Sequence, residues 1–180
     1  MVAYSFMEQF QRPILQGTKR HTLRAPRTGR ARHARVSDEL QLYFGLRTKA
    51  CRRLGTAHCT ERRSVLLLTR LVQGRLRREV WLGDPGDIWP VACPEEIPCG
   101  STRLTPAQLR QFVAADGFPR VSGFWAHWQR QAPQLRQPAG QVSLEVIGWG
   151  ETFLADGAQP LLDPDLPFDP LALPEEERAA

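Results

Sequence analysis

Lys19 and Thr22 stand three residues apart in Gly17-Thr18-Lys19-Arg20-His21-Thr22-Leu23-Arg24. A lysine whose pKa falls on burial, beside a hydroxyl, is a base–nucleophile pair in outline. The stretch follows a short amphipathic run, and Gly17 reads as the residue just past a helix end. Arg20, His21, Thr22 and Leu23 suit an extended segment better than a helix. The pattern therefore predicts helix, stop, then strand. On a regular strand, side chains three apart face opposite sides. Lys19 and Thr22 meet only if a bulge or the helix-to-strand corner re-aims one of them. The competing reading is a surface strand whose charges face water.

The elements that must position this pair can be read in order. Residues 2–6 alternate apolar and small side chains as a first strand. Phe10, Ile14 and Leu15 recur at helical spacing, and Pro13 keeps that helix short. Residues 25–37 form a mobile loop that carries Arg27, Arg30, Arg32 and Arg35, a candidate phosphate-gripping arm. Residues 39–44 alternate as a strand that ends near Tyr43, with Arg47 in the turn beyond. Tyr43 is placed to stack a base and Arg47 to bind a phosphate or an acyl oxygen. Residues 51–60 and 64–72 read as two further strands. Gln73-Gly74-Arg75 makes a tight connection to a returning strand over 76–82. Residues 83–102, rich in Pro, Gly and Cys, form an irregular insertion, with Trp81 and Trp89 packing it onto the body or offering a stacking surface. Thr105-Pro106-Ala107-Gln108 has the signature of a helix start, and Gly117 ends that helix. A second helix, capped by Ser122, carries Phe124, Trp125 and Trp128 up to Pro133. Residues 142–148 alternate as a last strand that closes the sheet. The order predicts an α+β domain over 1–150, a twisted, partly closed barrel flanked by short helices. Residues 151–180, with prolines at 160, 164, 167, 170 and 174 and the acidic run 175–177, form an acidic tail of little regular structure.

Charge is unevenly distributed. Residues 1–78 hold 18 Lys and Arg against 4 Asp and Glu, while 79–180 hold 6 against 15. A basic half facing an acidic one points to a polyanionic partner. The 24 basic residues include only two lysines, Lys19 and Lys49. The cysteines, Cys51, Cys59, Cys93 and Cys99, lack CxxC spacing, so free thiols are expected over a zinc site on Cys93 and Cys99. His21, His33, His58 and His127 have no metal-ligand spacing, so neither a metal nor a cofactor is expected. No run approaches the length of a membrane span and no leader pattern opens the chain, so a cytoplasmic protein is expected.

The glycine, lysine, threonine and arginine at 17, 19, 22 and 24 resemble the motif of ASCH domains, small barrels of the PUA-like superfamily. The common pattern has glutamate at the position of Thr22. Lysine followed by threonine is similar to the bacterial amidohydrolases that remove acetyl from N4-acetylcytidine. The resemblance covers about residues 2–60 and 103–149. It implies a third acting residue, a glutamate before a short turn, and Asp116 best matches it. The implied chemistry is attack by Thr22 on an acyl carbonyl, activation by Lys19 and protonation of the leaving amine by Asp116. Arg20 and Arg24 join as substrate-binding cations that also lower the lysine's pKa. The resemblance implies RNA or a modified nucleoside as partner. The alternatives are a non-catalytic RNA-binding module and an endoribonuclease.

Overall fold

The computed structural model describes residues 1–27, 32–85 and 101–150, and the backbone of 153–154. Arg30, Trp89, Cys93, Cys99 and most of the acidic tail lie outside the described residues. Among these residues the architecture is α+β, with eight strands in one mixed sheet.

The sheet is organised around a single strand, β4 (Arg52–Val72). The sequence suggests two strands here, separated by the polar residues 61–63. No turn-forming residue interrupts those positions, so the chain stays extended. A register shift between Cys59 and Glu61 marks the changeover between neighbours. The first half pairs with β3 (Glu39–Phe44) and with the short β8 (Phe153–Leu154). The second half pairs with β5 (Arg75–Gly83) on one side and β7 (Gly140–Trp149) on the other. The β4–β5 turn has positive φ at Gln73 and Gly74, as a tight two-residue hairpin requires. β1 (Val2–Phe6) adds parallel to β3, β2 (His21–Arg24) antiparallel to β7, and β6 (Thr102–Arg103) antiparallel to β5.

The expected barrel does not close. Among the described residues β1 pairs only with β3 and β2 only with β7, so a seam remains between them. A side chain crosses it: the Arg24 guanidinium donates to the Ser5 carbonyl at 2.7 Å.

Among the described residues three α-helices cover the sheet. α1 (Gln11–Leu15) is limited to one turn by Pro13 and ends before Gly17. α2 (Pro106–Ala115) has the predicted capping box, with Thr105 and Gln108 bonded reciprocally. α3 (Val121–Gln131) starts at Arg120 with no side-chain cap, so Ser122 lies in its first turn instead of at its start. A serine in either place leaves a similar sequence trace. Phe124, Trp125, Ile14, Leu40, Leu42, Leu67 and Ile147 belong to the main core. No described helix is long and apolar enough to cross a membrane.

Leu67 is fully buried on β4, whereas Leu71, four residues on, is 58 % exposed. Leu67→Ala is expected to cost about 2–5 kcal/mol and Leu71→Ala within about 0.5 kcal/mol. Denaturant unfolding of the two variants checks this, and equal losses would contradict a core that ends along β4 before Leu71.

Candidate functional site

The site begins at the corner between α1 and β2. The amides of Thr18 and Lys19 both donate to the Pro13 carbonyl, at 2.9 and 3.0 Å, which turns the chain back on the helix. β2 starts only at His21, so Lys19 sits on the corner and escapes strand alternation. This resolves the parity conflict in the sequence: Lys19 and Thr22 line the same cavity. The Arg20 amide donates to the Ala115 carbonyl at 2.7 Å, tying the corner to the end of α2.

Asp116 follows that helix. Gly117 takes a left-handed conformation (φ +85°), and the Phe118 amide returns to the Val113 carbonyl at 3.1 Å, a glycine-terminated helix end. The turn delivers Asp116 to Lys19, 97 residues away in sequence, with Nζ to Oδ1 at 2.7 Å. The same Nζ donates to the Asp116 carbonyl oxygen. Lys19 is 1 % exposed and Asp116 4 %. The lysine ammonium also lies 4.4 Å from the Phe10 ring centroid.

Burial dominates the protonation of this pair. Desolvation pushes the Lys19 pKa down, and Arg24 pushes it the same way, against the attraction of Asp116. Desolvation pushes Asp116 up, opposed by Lys19, Arg24 and a hydrogen bond with the Leu23 backbone. Both members are thus moved toward their neutral forms. His21, packed against Phe112 with ring centroids 4.5 Å apart, is lowered to about 3 by burial and by Lys19.

The cavity has a volume of about 540 Å³. Lys19, Thr22, Arg24 and Asp116 supply its reactive lining, and Ser5, Phe6 and Met7 form the β1 side. An aromatic wall runs from Phe10 to Phe118 to His127 to Trp128, with successive ring centroids 5.2, 5.3 and 5.4 Å apart. Sequence reading missed His127 and Gln131. The signal was their place on the helix of Trp128, one beside it and the other nearly a turn beyond, where only the apolar stripe was followed.

The other predicted residues lie outside this lining. Arg20 is exposed and donates to the carbonyls of Gly17 and Gly150. Tyr43 bonds Gln41 at 3.1 Å, and Arg47 is exposed in the β3–β4 turn. Arg27 stacks over Tyr4 and donates to the Arg32 carbonyl, and Arg32 pairs with Asp38 at 2.6 Å. Arg35 is exposed, and its amide donates to Asp38. The arm is also pinned by His33, which is 2 % exposed and bonded to Tyr4 and to the Ala25 carbonyl. On either side of the undescribed residues 28–31 it is therefore an anchored segment, not the mobile loop expected. Among the described residues no group of three or more His, Cys, Asp or Glu is arranged to hold a metal ion. Cys51 is exposed and Cys59 buried, and both are free.

Comparison of the chain with protein-family models, with curated proteins and with solved structures found no match.

Two outcomes are expected. A Cβ at position 117 would lie 3.1 Å from both the Lys19 stem and the Phe10 ring, on a backbone that disfavours it. Gly117→Ala should therefore cost more than about 1 kcal/mol in thermal unfolding and shift the Lys19 stem. His21 stays neutral in the fold down to about 3, while the unfolded chain protonates it near 6.5. Between those values the unfolded state binds the extra proton, so acidification destabilises the fold, by up to about 1.4 kcal/mol per pH unit. Urea unfolding of wild type and His21→Leu from pH 6.5 to 3.5 should show the wild type losing stability relative to the variant; parallel curves would contradict it.

Proposed function

We propose that the chain is an ASCH-type, PUA-like domain with an open seam, which binds RNA or a modified nucleoside and hydrolyses an amide on the exocyclic amine of its base. The convergence of Lys19, Thr22 and Asp116 on one cavity carries this reading. That cavity falls within the usual range for a small-molecule site. Its aromatic wall suits a planar ring, and its cationic side suits an acyl oxygen.

The protonation of the buried pair favours the chemistry. Neutral Lys19 accepts the Thr22 hydroxyl proton as the oxygen bonds to the acyl carbon. The resulting ammonium, with Arg24, stabilises negative charge on the acyl oxygen. Protonated Asp116 donates to the amine nitrogen as the carbon–nitrogen bond breaks. Water then attacks the Thr22 ester and gives its proton to the Asp116 carboxylate, and Lys19 returns its proton to Thr22. The sum is amide plus water to carboxylic acid plus amine, with each residue restored. Where the resembling enzymes use a glutamate, the shorter Asp116 reaches Lys19 directly because Gly117 brings the helix end so close.

Acetate release from N4-acetylcytidine tests this. Thr22→Ala should reduce turnover to background and Thr22→Ser should restore part of it. Asp116→Asn should lower kcat by about 10²–10⁴-fold. Turnover that survives Thr22→Ala would rule out the nucleophile.

A further inference from the structure

The sequence places phosphate recognition on the arm, but Arg27 and Arg32 are engaged within the protein. A dense cluster of exposed positive charge lies elsewhere, on the tip joining β3 to β4. Arg47, Lys49, Arg52 and Arg53 fall within seven residues, all exposed, and no acidic residue occurs between Glu39 and Glu61. Arg12 on α1 is exposed on the neighbouring element, which touches the tip through the Arg52 guanidinium on the Gln11 side-chain oxygen. Among the described residues none of these five cations is in an ion pair; Glu8, at the start of the adjoining turn, is the one acid near them in sequence.

The tip is fixed to the cavity wall. The Leu46 amide donates to the Ser5 hydroxyl at 3.1 Å, and Ser5 lines the cavity. Phe6 pairs with Phe44 at the last position of β3, and Arg52 pairs with Phe44 across the hairpin. Phe6, Met7 and Phe10 continue the wall from there to α1. A strand with one base in the cavity would carry its flanking phosphates across this rim.

We infer that the β3–β4 tip is the backbone-gripping surface of the site: Arg47, Lys49, Arg52 and Arg53, with Arg12, bind the phosphodiester chain of a single-stranded polynucleotide. The inference rests on the proposed reading of the cavity and narrows its substrate from a free nucleoside to a base within a strand. A single strand is specified because a base enters a cavity only when it is out of its stack. The five unpaired cations supply the charge complementarity, with arginine forks matched to phosphate oxygens.

The test uses the full chain and a fluorescein-labelled, ten-nucleotide single-stranded oligoribonucleotide, titrated by anisotropy at several salt concentrations. Wild type should bind with a steep salt dependence. Replacing Arg47, Lys49, Arg52 and Arg53 with Ser should reduce the slope of log K against log salt by roughly 3, at about 0.7 for each phosphate of a single strand that is no longer neutralised. Arg27→Ser with Arg32→Ser, whose charges are engaged within the protein, should leave it unchanged. Lys49 gives a second readout, because the only other lysine, Lys19, is buried. Acetic anhydride should label Lys49 in the free protein, and the oligonucleotide should protect it. Tip variants that bind like wild type, or Lys49 labelled equally with and without the strand, overturn the inference. So does co-sedimentation with phosphatidylglycerol vesicles in place of oligonucleotide binding. Turnover of N4-acetylcytidine without strand binding overturns it and leaves the cavity reading standing. Tip-dependent strand binding without turnover upholds it and removes the hydrolytic step.

Discussion

The Lys19 amine and the Asp116 carboxyl lie 2.7 Å apart with almost no contact with water, and most of the site depends on that pair. Leaving either alone in such a place would cost several kcal/mol, so the two must be buried together. One comes from the corner before β2 and the other from the end of α2, which fixes the corner against the helix. Gly117 is required because the helix end passes so close to the lysine stem. Phe10 shields the pair from one side and supplies a ring face to the ammonium. The same desolvation moves both groups toward neutrality, so the structural constraint and the proposed proton transfers have one physical origin.

The long strand β4 separates two tasks. Its first half builds a small sheet with β1, β3 and β8, and its second half builds the body with β5 and β7. Among the described residues β1 adds outside β3 and β2 outside β7, and the two face each other across an unpaired seam. The cavity opens there, lined by Ser5 and Phe6 on one edge and by Thr22 and Arg24 on the other. A closed barrel would have satisfied those backbone edges. Arg24 meets part of the cost by bonding the Ser5 carbonyl across the gap.

Local signals in the sequence were informative where the chemistry is local. The α2 start follows from Thr105, Pro106 and Gln108, and its end from Gly117. The short α1 follows from Pro13. The failures involve contacts between distant segments. Residues 61–63 carry no turn former, but their charges break the apolar alternation, and the change of partners that keeps them in one strand is set by the fold. Arg27 and Arg32 look free in sequence because Tyr4 and Asp38, which engage them, are identified only by the fold. For the site, Lys19 and Thr22 were legible as a spacing and Asp116 only through a family resemblance. Their meeting depends on a corner that periodicity cannot encode.

The separation of the pair along the chain has a consequence for how the protein is made. When Lys19 is added to the growing chain, Asp116 is 97 residues from being added, and β7, the partner of β2, is later still. At usual rates of synthesis that interval is on the order of 5–20 s. Throughout it the lysine stays hydrated and charged, and the β2 segment has no neighbour on which to fold. The hairpin of β4 and β5 pairs locally and can form in the meantime. The Lys19–Asp116 pair can thus form only after most of the chain has emerged.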